Sequence, residues 1–201
     1  VCDRPARKNI FIQLPKRFWY FLAVVFLFSL SNSTDALLLV KTAESGVKQE
    51  YVPFFYMIFS VVSVLFAIPA GKWSDKTGRT LLITAGYAIY AVTYFFFGFF
   101  NSPGMLIPLF VFYGLYSALT DGNQKALISD LVPPELKGTA FGIYHAVLGI
   151  SLLPASLIAG TLYDKVNTSA PFYFGALMAL AAVVMLALGS VKFRSALTWR
   201  I

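Results

Sequence analysis

Apolar residues along this chain gather into six long runs separated by short polar segments. A helix that crosses a bilayer needs roughly 20 such residues, so each run reads as one crossing. The first spans about Phe18 to Val40 and carries the polar cluster Ser31-Asn32-Ser33-Thr34-Asp35, too deep to be a loop if the helix continues through Leu37-Leu38-Leu39. Lys41 to Glu50 is a short polar loop, and the second crossing follows from about Tyr51 to Ala70. The third, about Leu81 to Phe100, contains no charge, and Asn101-Ser102-Pro103-Gly104 closes it with strong turn chemistry. The fourth begins near Met105, is apolar to Leu119, then carries Thr120-Asp121-Gly122-Asn123-Gln124-Lys125 and ends near Leu131 before Pro133-Pro134. Pro134 and Glu135 suit the opening of a fifth helix, which runs to about Tyr163 with Pro154 as a place to bend. After a loop from Asp164 to Ala170, Pro171-Phe172 opens a sixth crossing that ends near Val191.

Composition supports the membrane reading. Hydrophobic residues are 58% and charged residues 12% of the 201, and the mean hydropathy is +0.73. A soluble domain of this length cannot hide so much apolar surface. The pattern thus describes an all-α membrane protein: a basic linker at 1–17, six transmembrane helices at 18–191 and a short tail at 192–201. The net charge of +7 invites a nucleic-acid reading, which the placement of the cations excludes. They stand at the ends of apolar runs, not on a groove-reading element interleaved with stacking aromatics.

Six crossings put both termini on one side of the membrane. On that side lie Arg4, Arg7, Lys8, Lys16, Arg17, Lys72, Lys76, Arg79, Lys125, Lys137, Lys192, Arg194 and Arg200; only Lys41, Lys48 and Lys165 lie opposite. The excess marks the terminal side as cytoplasmic, and Trp19, Trp73 and Trp199 fall at the same boundary. The single cysteine, Cys2, precludes an internal disulfide. The basic, polar first seventeen residues and the long run after them are not those of a cleavable signal peptide. With no His-Glu-x-x-His motif, no Gly-x-Ser-x-Gly turn and no phosphate-binding glycine loop, the sequence points away from an enzyme and calls for no cofactor or metal.

The connection between the second and third crossings, Gly71-Lys72-Trp73-Ser74-Asp75-Lys76-Thr77-Gly78-Arg79-Thr80-Leu81-Leu82, packs three cations, one acid and two glycines into a predicted tight turn. Its spacing Gly-x-x-x-Asp-x-x-Gly-Arg resembles the signature cytoplasmic loop of the major facilitator superfamily of transporters. The stretch from Ala126 to Gly142 is similar to that family's junction between the fourth and fifth helices of a half. Family members typically have twelve crossings in two halves. The Ser31 to Asp35 cluster and the basic, proline-containing lead-in resemble the carboxyl-terminal half preceded by the central linker.

The resemblance implies half of a secondary transporter, an efflux-like permease of a bacterial inner membrane that moves a small solute by alternating access and is coupled to protons. An amino-terminal half or an equivalent chain would supply the other wall of the substrate cavity. It also implies a cytoplasmic gate made of Gly71, Asp75, Gly78, Arg79 and Asp130. The loop's acid, Asp75, would meet the positive end of a helix in the opposite half, and Arg79 would pair with Asp130 within about 4 Å. Read from composition alone, Lys72, Lys76 and Arg79 are topology signals and the two glycines are turn residues. The competing reading of the whole chain is a non-transporting membrane module or fragment with an assembly role.

Polar side chains at bilayer depth are costly and normally face protein or a water-filled cavity. Ser31, Asn32 and Asp35 share a helix face, with Asp35 roughly 26 Å along the first crossing. Asp35 is either a cavity-lining, proton-carrying carboxylate or an acid near the outer end that is hydrogen-bonded or paired with Lys41. In the fourth crossing Tyr113, Tyr116, Thr120, Asp121 and Gln124 recur at helical spacing. They form a polar face that lipid has no use for. Asp121 faces the cavity and titrates, or is locked by Lys125 four residues on. His145 on the fifth helix lies at a depth similar to Asp121, as half of a proton relay or as a simply hydrogen-bonded histidine. The charge-free third and sixth crossings suit lipid-facing supports.

Overall fold

In the computed structural model of the chain, the structure describes residues 14–32 and 35–195, and the described residues contain helices and no strand. We number the α-helices in order: α1 (Lys16–Ser31), α2 (Asp35–Glu44), α3 (Val52–Thr77), α4 (Arg79–Phe99), α5 (Pro103–Leu131), α6 (Lys137–Lys165) and α7 (Ala170–Ser195). Short 3-10 turns at Gln49–Tyr51 and Pro134–Leu136 lead into α3 and α6. Most of the predicted linker at 1–17 and the last residues of the predicted tail lie outside the described residues.

Proline sets several boundaries. Pro103 begins α5 behind an extended Ser102, and α5 ends at an extended Val132, because the residue before Pro133 is pushed out of the helical region. Phe100 is likewise extended, with φ −92° and ψ 135°. Among the described residues, five helices are long and apolar enough to cross a membrane; they correspond to α3 through α7.

The predicted first crossing differs. It is two helices, of 16 and 10 residues, and at 1.5 Å per residue neither reaches the roughly 30 Å of a hydrocarbon core. Asn32, at φ −95° and ψ 73°, leaves the helix. Ser31, Asn32 and Asp35 therefore do not share one continuous helical face, as the sequence pattern suggested. The cause is local: serine, asparagine, threonine and aspartate offer the backbone competing hydrogen bonds. Ser31 Oγ donates to the Phe28 carbonyl at 2.5 Å, and the freed Ser31 carbonyl accepts from Tyr90 Oη at 2.9 Å. A broken helix is tolerated at membrane depth only where protein satisfies its backbone in this way.

The core is aromatic. Phe28 of α1 stacks on Tyr87 of α4 at 3.7 Å between ring centroids, and Tyr90 stacks on Tyr94 at 4.0 Å. Tyr113 and Tyr116 of α5 pack against Tyr90 at 6.1 and 4.8 Å. All six rings are buried, and each brings a large apolar area to the core. Around this core α5 packs between α3 and α4, α4 packs on α7, and α1 packs against α7 and α6.

Two glycines allow the closest approaches to α5. A Cβ on Gly86 would meet Thr120 Cγ2 at 2.5 Å, and one on Gly114 would meet the Phe59 carbonyl of α3 at 2.7 Å. Beyond Arg79 α4 is free of charge, and this stretch, expected to be a lipid-facing support, belongs to one of the most buried helices. Its inner face is the Tyr87, Tyr90, Tyr94 row, so freedom from charge reflects apolar packing as much as contact with lipid. The helices with most uncovered surface are α3 and α6, which expose Val61, Val64, Leu65 and Ile68, and Ile150, Leu153 and Leu157.

Candidate functional site

At the predicted cytoplasmic end, the segment read as a tight turn is mostly helix. Gly71 through Thr77 continue α3, and only Gly78 breaks it, at φ +97° and ψ 135°. A glycine inside a helix costs only about 1 kcal/mol relative to alanine, so Gly71 does not end α3. Gly78 does, because L side chains avoid that backbone region.

The break aims Arg79, the first residue of α4, at two acids. Arg79 Nε donates to Asp130 Oδ2 at 2.5 Å, and Nη2 lies 3.7 Å from Asp75 Oδ1. Arg79 sits at the positive end of α4 and Asp130 near the negative end of α5, both unfavourable for their charge. Pairing cancels the two mismatches and ties the start of α4 to the end of α5. The contact expected between Arg79 and Asp130 is therefore made, and Asp75 is drawn towards the same guanidinium.

Above this clasp, α3 and α5 enclose a groove of about 550 Å³ lined by Ser63, Asp75, Arg79, Ser117, Asp121 and Asn123 among others. Ser117 Oγ donates to Asp121 Oδ2 at 2.7 Å, and Ser63 Oγ of α3 lies 2.9 Å from Ser117 Oγ. Among the described residues no ion pair joins Asp121 to Lys125; the ion pairs there are those of Arg79. The polar face read along α5 thus divides in two. Asp121 turns into the groove, whereas Tyr113 and Tyr116 are buried in the aromatic core and Gln124 is buried against α6.

The contact from α6 to this face comes from a residue the sequence reading passed over. Tyr144 Oη donates to Gln124 Oε1 at 2.9 Å. His145 is exposed, with its ring 5.1 Å from that of Tyr144, and no hydrogen bond among the described residues joins it to Asp121. Asn32 Nδ2 approaches Tyr116 Oη at 3.4 Å, which joins the break in the first crossing to α5. Asp35 opens α2, and its side chain lies outside the described residues.

At the opposite end, Lys41 is buried and donates from Nζ to Asn101 Oδ1 at 2.5 Å, with Nζ 5.9 Å from the Phe172 ring centroid. Tyr163 at the end of α6 donates to Glu44. These contacts fasten α2 to the α4–α5 turn and to both α6 and α7. Lys41, one of the partners offered for Asp35, is held by Asn101, and the Asp35 side chain of that pairing lies outside the described residues. For Ser117 the sequence holds a partial signal, its place with Gly114 and Asp121 at i, i+3 and i+7 on one face of α5; for Ser63, on α3, it holds none. Serine alone is too common in membrane helices to point there.

A family model described as Major Facilitator Superfamily matches residues 15–196. An uncharacterized MFS-type transporter of Methanocaldococcus jannaschii is 35% identical over 180 residues, covering 87% of this chain and 45% of its own length. Multidrug resistance protein 1 of Bacillus subtilis is 27% identical over 132 residues, covering 65% of this chain and 34% of its own. The crystal structure of the POT family transporter PepTSo matches the fold with a TM-score of 0.75 at 17% identity, over 88% of this chain and 37% of that one. The chain spans less than half the length of these relatives, of which the archaeal protein and PepTSo are named as transporters.

Proposed function

The chain belongs to the major facilitator superfamily and is an integral, multi-pass membrane protein, and from that premise we propose that it forms the carboxyl-terminal six-crossing half of a secondary transporter. In this reading α1 and α2 make up one discontinuous crossing, of the kind that transporters place beside their substrate sites. Both termini face the cytoplasm, on the strength of the cation distribution, and the bacterial inner membrane is the setting that the family resemblance suggests. A second, amino-terminal half or an equivalent chain covers the groove between α3 and α5. Lipid surrounds the rest, and a small solute passes between the halves by alternating access.

The observation that carries this reading is the groove itself. A surface bearing Ser63, Ser117, Asp121 and Asn123 between two membrane-crossing helices is incompatible with hydrocarbon and belongs against protein or water. Arg79 and Asp130 close its cytoplasmic end as a gate, supported by Gly71 and Gly78, and Asp75 is the acid that meets the other half. Asp121 carries the coupling proton. Asn32 and Tyr116, which meet at the broken crossing, are candidates for the cavity, and Asp35, Tyr113, Gln124 and His145 complete the candidate set. The sparsely charged, aromatic interior favours amphipathic compounds, in keeping with the name of the Bacillus subtilis relative.

A second reading, an assembly module that transports nothing, rests on the chain's share of its relatives, 45% of the archaeal transporter. Co-expression with a complementary half, followed by uptake into proteoliposomes under an imposed proton gradient, separates the two. Gradient-driven flux of an amphipathic cation such as ethidium supports the transporter. Its absence across a panel of amphipathic and polar solutes supports the module.

A further inference from the structure

The hydroxyls that join α3 to Asp121 have no part in the readings above beyond lining the groove. Ser117 has one hydroxyl proton, and with Asp121 ionised, when the carboxylate can only accept, it is donated to Asp121 Oδ2 at 2.7 Å. At the 2.9 Å contact between Ser63 and Ser117 the donor is then Ser63. The result is a two-hydroxyl chain, Ser63 to Ser117 to Asp121, that ends on the carboxylate and starts on a different helix. Its geometry depends on Gly114, one turn before Ser117, where any Cβ would collide with the Phe59 carbonyl and with Val62 Cβ at 2.8 Å. Without that close approach the two serines would stand out of reach.

We propose that Ser117 and Ser63 are positioning residues for Asp121, holding its ionised carboxylate in the groove and linking its protonation to the packing of α3 on α5. The inference rests on reading Asp121 as the coupling acid. A hydroxyl donated to the charged form stabilises that form. When Asp121 takes a proton, its own O–H becomes a donor, and the chain can run the other way, from Asp121 to Ser117 to Ser63. The two polarities place different demands on α3, which is how a proton on α5 is felt by its neighbour. Ser117 is buried and Ser63 half-buried, so the hydroxyl nearest the carboxylate is the better shielded of the two.

The charged and titratable groups around Asp121 come from every helix at the groove. Asp75 of α3 and Arg79 of α4 line the same groove, Lys125 lies one turn on along α5, and Tyr87 of α4 and Tyr144 of α6 lie within electrostatic range of Asp121. His145 stands beside Tyr144 on α6. None of these is altered by Ser117→Ala, so a change in Asp121 titration in that variant reports the hydroxyl.

The test is the protonated-carboxyl band of Asp121, followed by pH-difference infrared spectroscopy on the full-length protein in lipid and assigned by its loss in Asp121→Asn. Ser117→Ala is expected to move the midpoint upward by about 0.5–1 pH unit. Ser63→Ala moves it less in the same direction, and Ser117→Thr keeps the wild-type midpoint. Unmoved midpoints in both alanine variants overturn the proposal, as does a shift in Ser117→Thr equal to that in Ser117→Ala. Proton-driven flux retained by Asp121→Asn counts against the coupling role alone, because the infrared midpoint reads the positioning of the carboxylate independently.

Discussion

Gly71 and Gly78 look alike in the sequence, as the two bounds of a charged turn, yet they make opposite demands on a side chain. At Gly78 the backbone lies at φ +97°, so Gly78→Ala is expected to destabilise the protein by about 1–3 kcal/mol. Gly71 is helical with nothing within 4 Å of an added Cβ, so Gly71→Ala is expected to stabilise by up to about 1 kcal/mol. Thermal unfolding of the two variants in detergent checks both signs. Arg79 and Asp130 are partly exposed, at 28% and 54%, and such pairs contribute little to stability, about 0.2–1 kcal/mol. Arg79→Ala should therefore lower Tm by less than about 4 °C. Its gating effect is read separately, from maleimide labelling of an Ala126→Cys reporter in the groove in a Cys2→Ser background, expected to quicken several-fold. Unchanged labelling would remove Arg79 from the gate. The pairing itself was legible, through the family resemblance of two segments far apart in the chain. The Ser63–Ser117–Asp121 chain was not, because it depends on helix approach at Gly114, which no single segment records.

At the scale of elements, long apolar runs and proline punctuation located α4, α5 and α6 to within a few residues. What the pattern could not convey was competition among local hydrogen bonds. The Ser31 to Asp35 cluster is polar enough to break a helix, and the Tyr90 hydroxyl, supplied from α4, satisfies the Ser31 carbonyl at the break inside the bundle. The burial of α4 was equally hidden, since charge-free sequence suits lipid and protein alike. The short α2 hangs on its contacts at the outer end, chiefly Lys41 with Asn101. Removing the acceptor leaves a buried ammonium without its hydrogen bond, whereas removing the charge leaves an apolar stem in an apolar place. Asn101→Ala is thus expected to cost about 1–3 kcal/mol and Lys41→Met markedly less. Hydrogen exchange supplies the local readout: in Asn101→Ala, α2 should lose protection while α4 keeps its own. Equal losses in the two variants would show that Lys41 is held by its stem alone.

Across the whole molecule, a buried aromatic core lies between the Arg79–Asp130 clasp at one end and the Lys41–Asn101 clasp at the other, and the two least covered helices, α3 and α6, differ in what they present. The exposed residues of α6 are largely apolar, whereas α3 also contributes to a polar groove that must meet protein or water. The account as a whole turns on that groove and on Asp121 within it. Its most direct test is proton-gradient-driven flux in proteoliposomes carrying the full-length protein, comparing wild type with Asp121→Asn at matched protein incorporation. The account predicts that Asp121→Asn loses gradient-driven flux by tenfold or more while its thermal stability stays close to wild type. Undiminished gradient-driven flux in Asp121→Asn would contradict it.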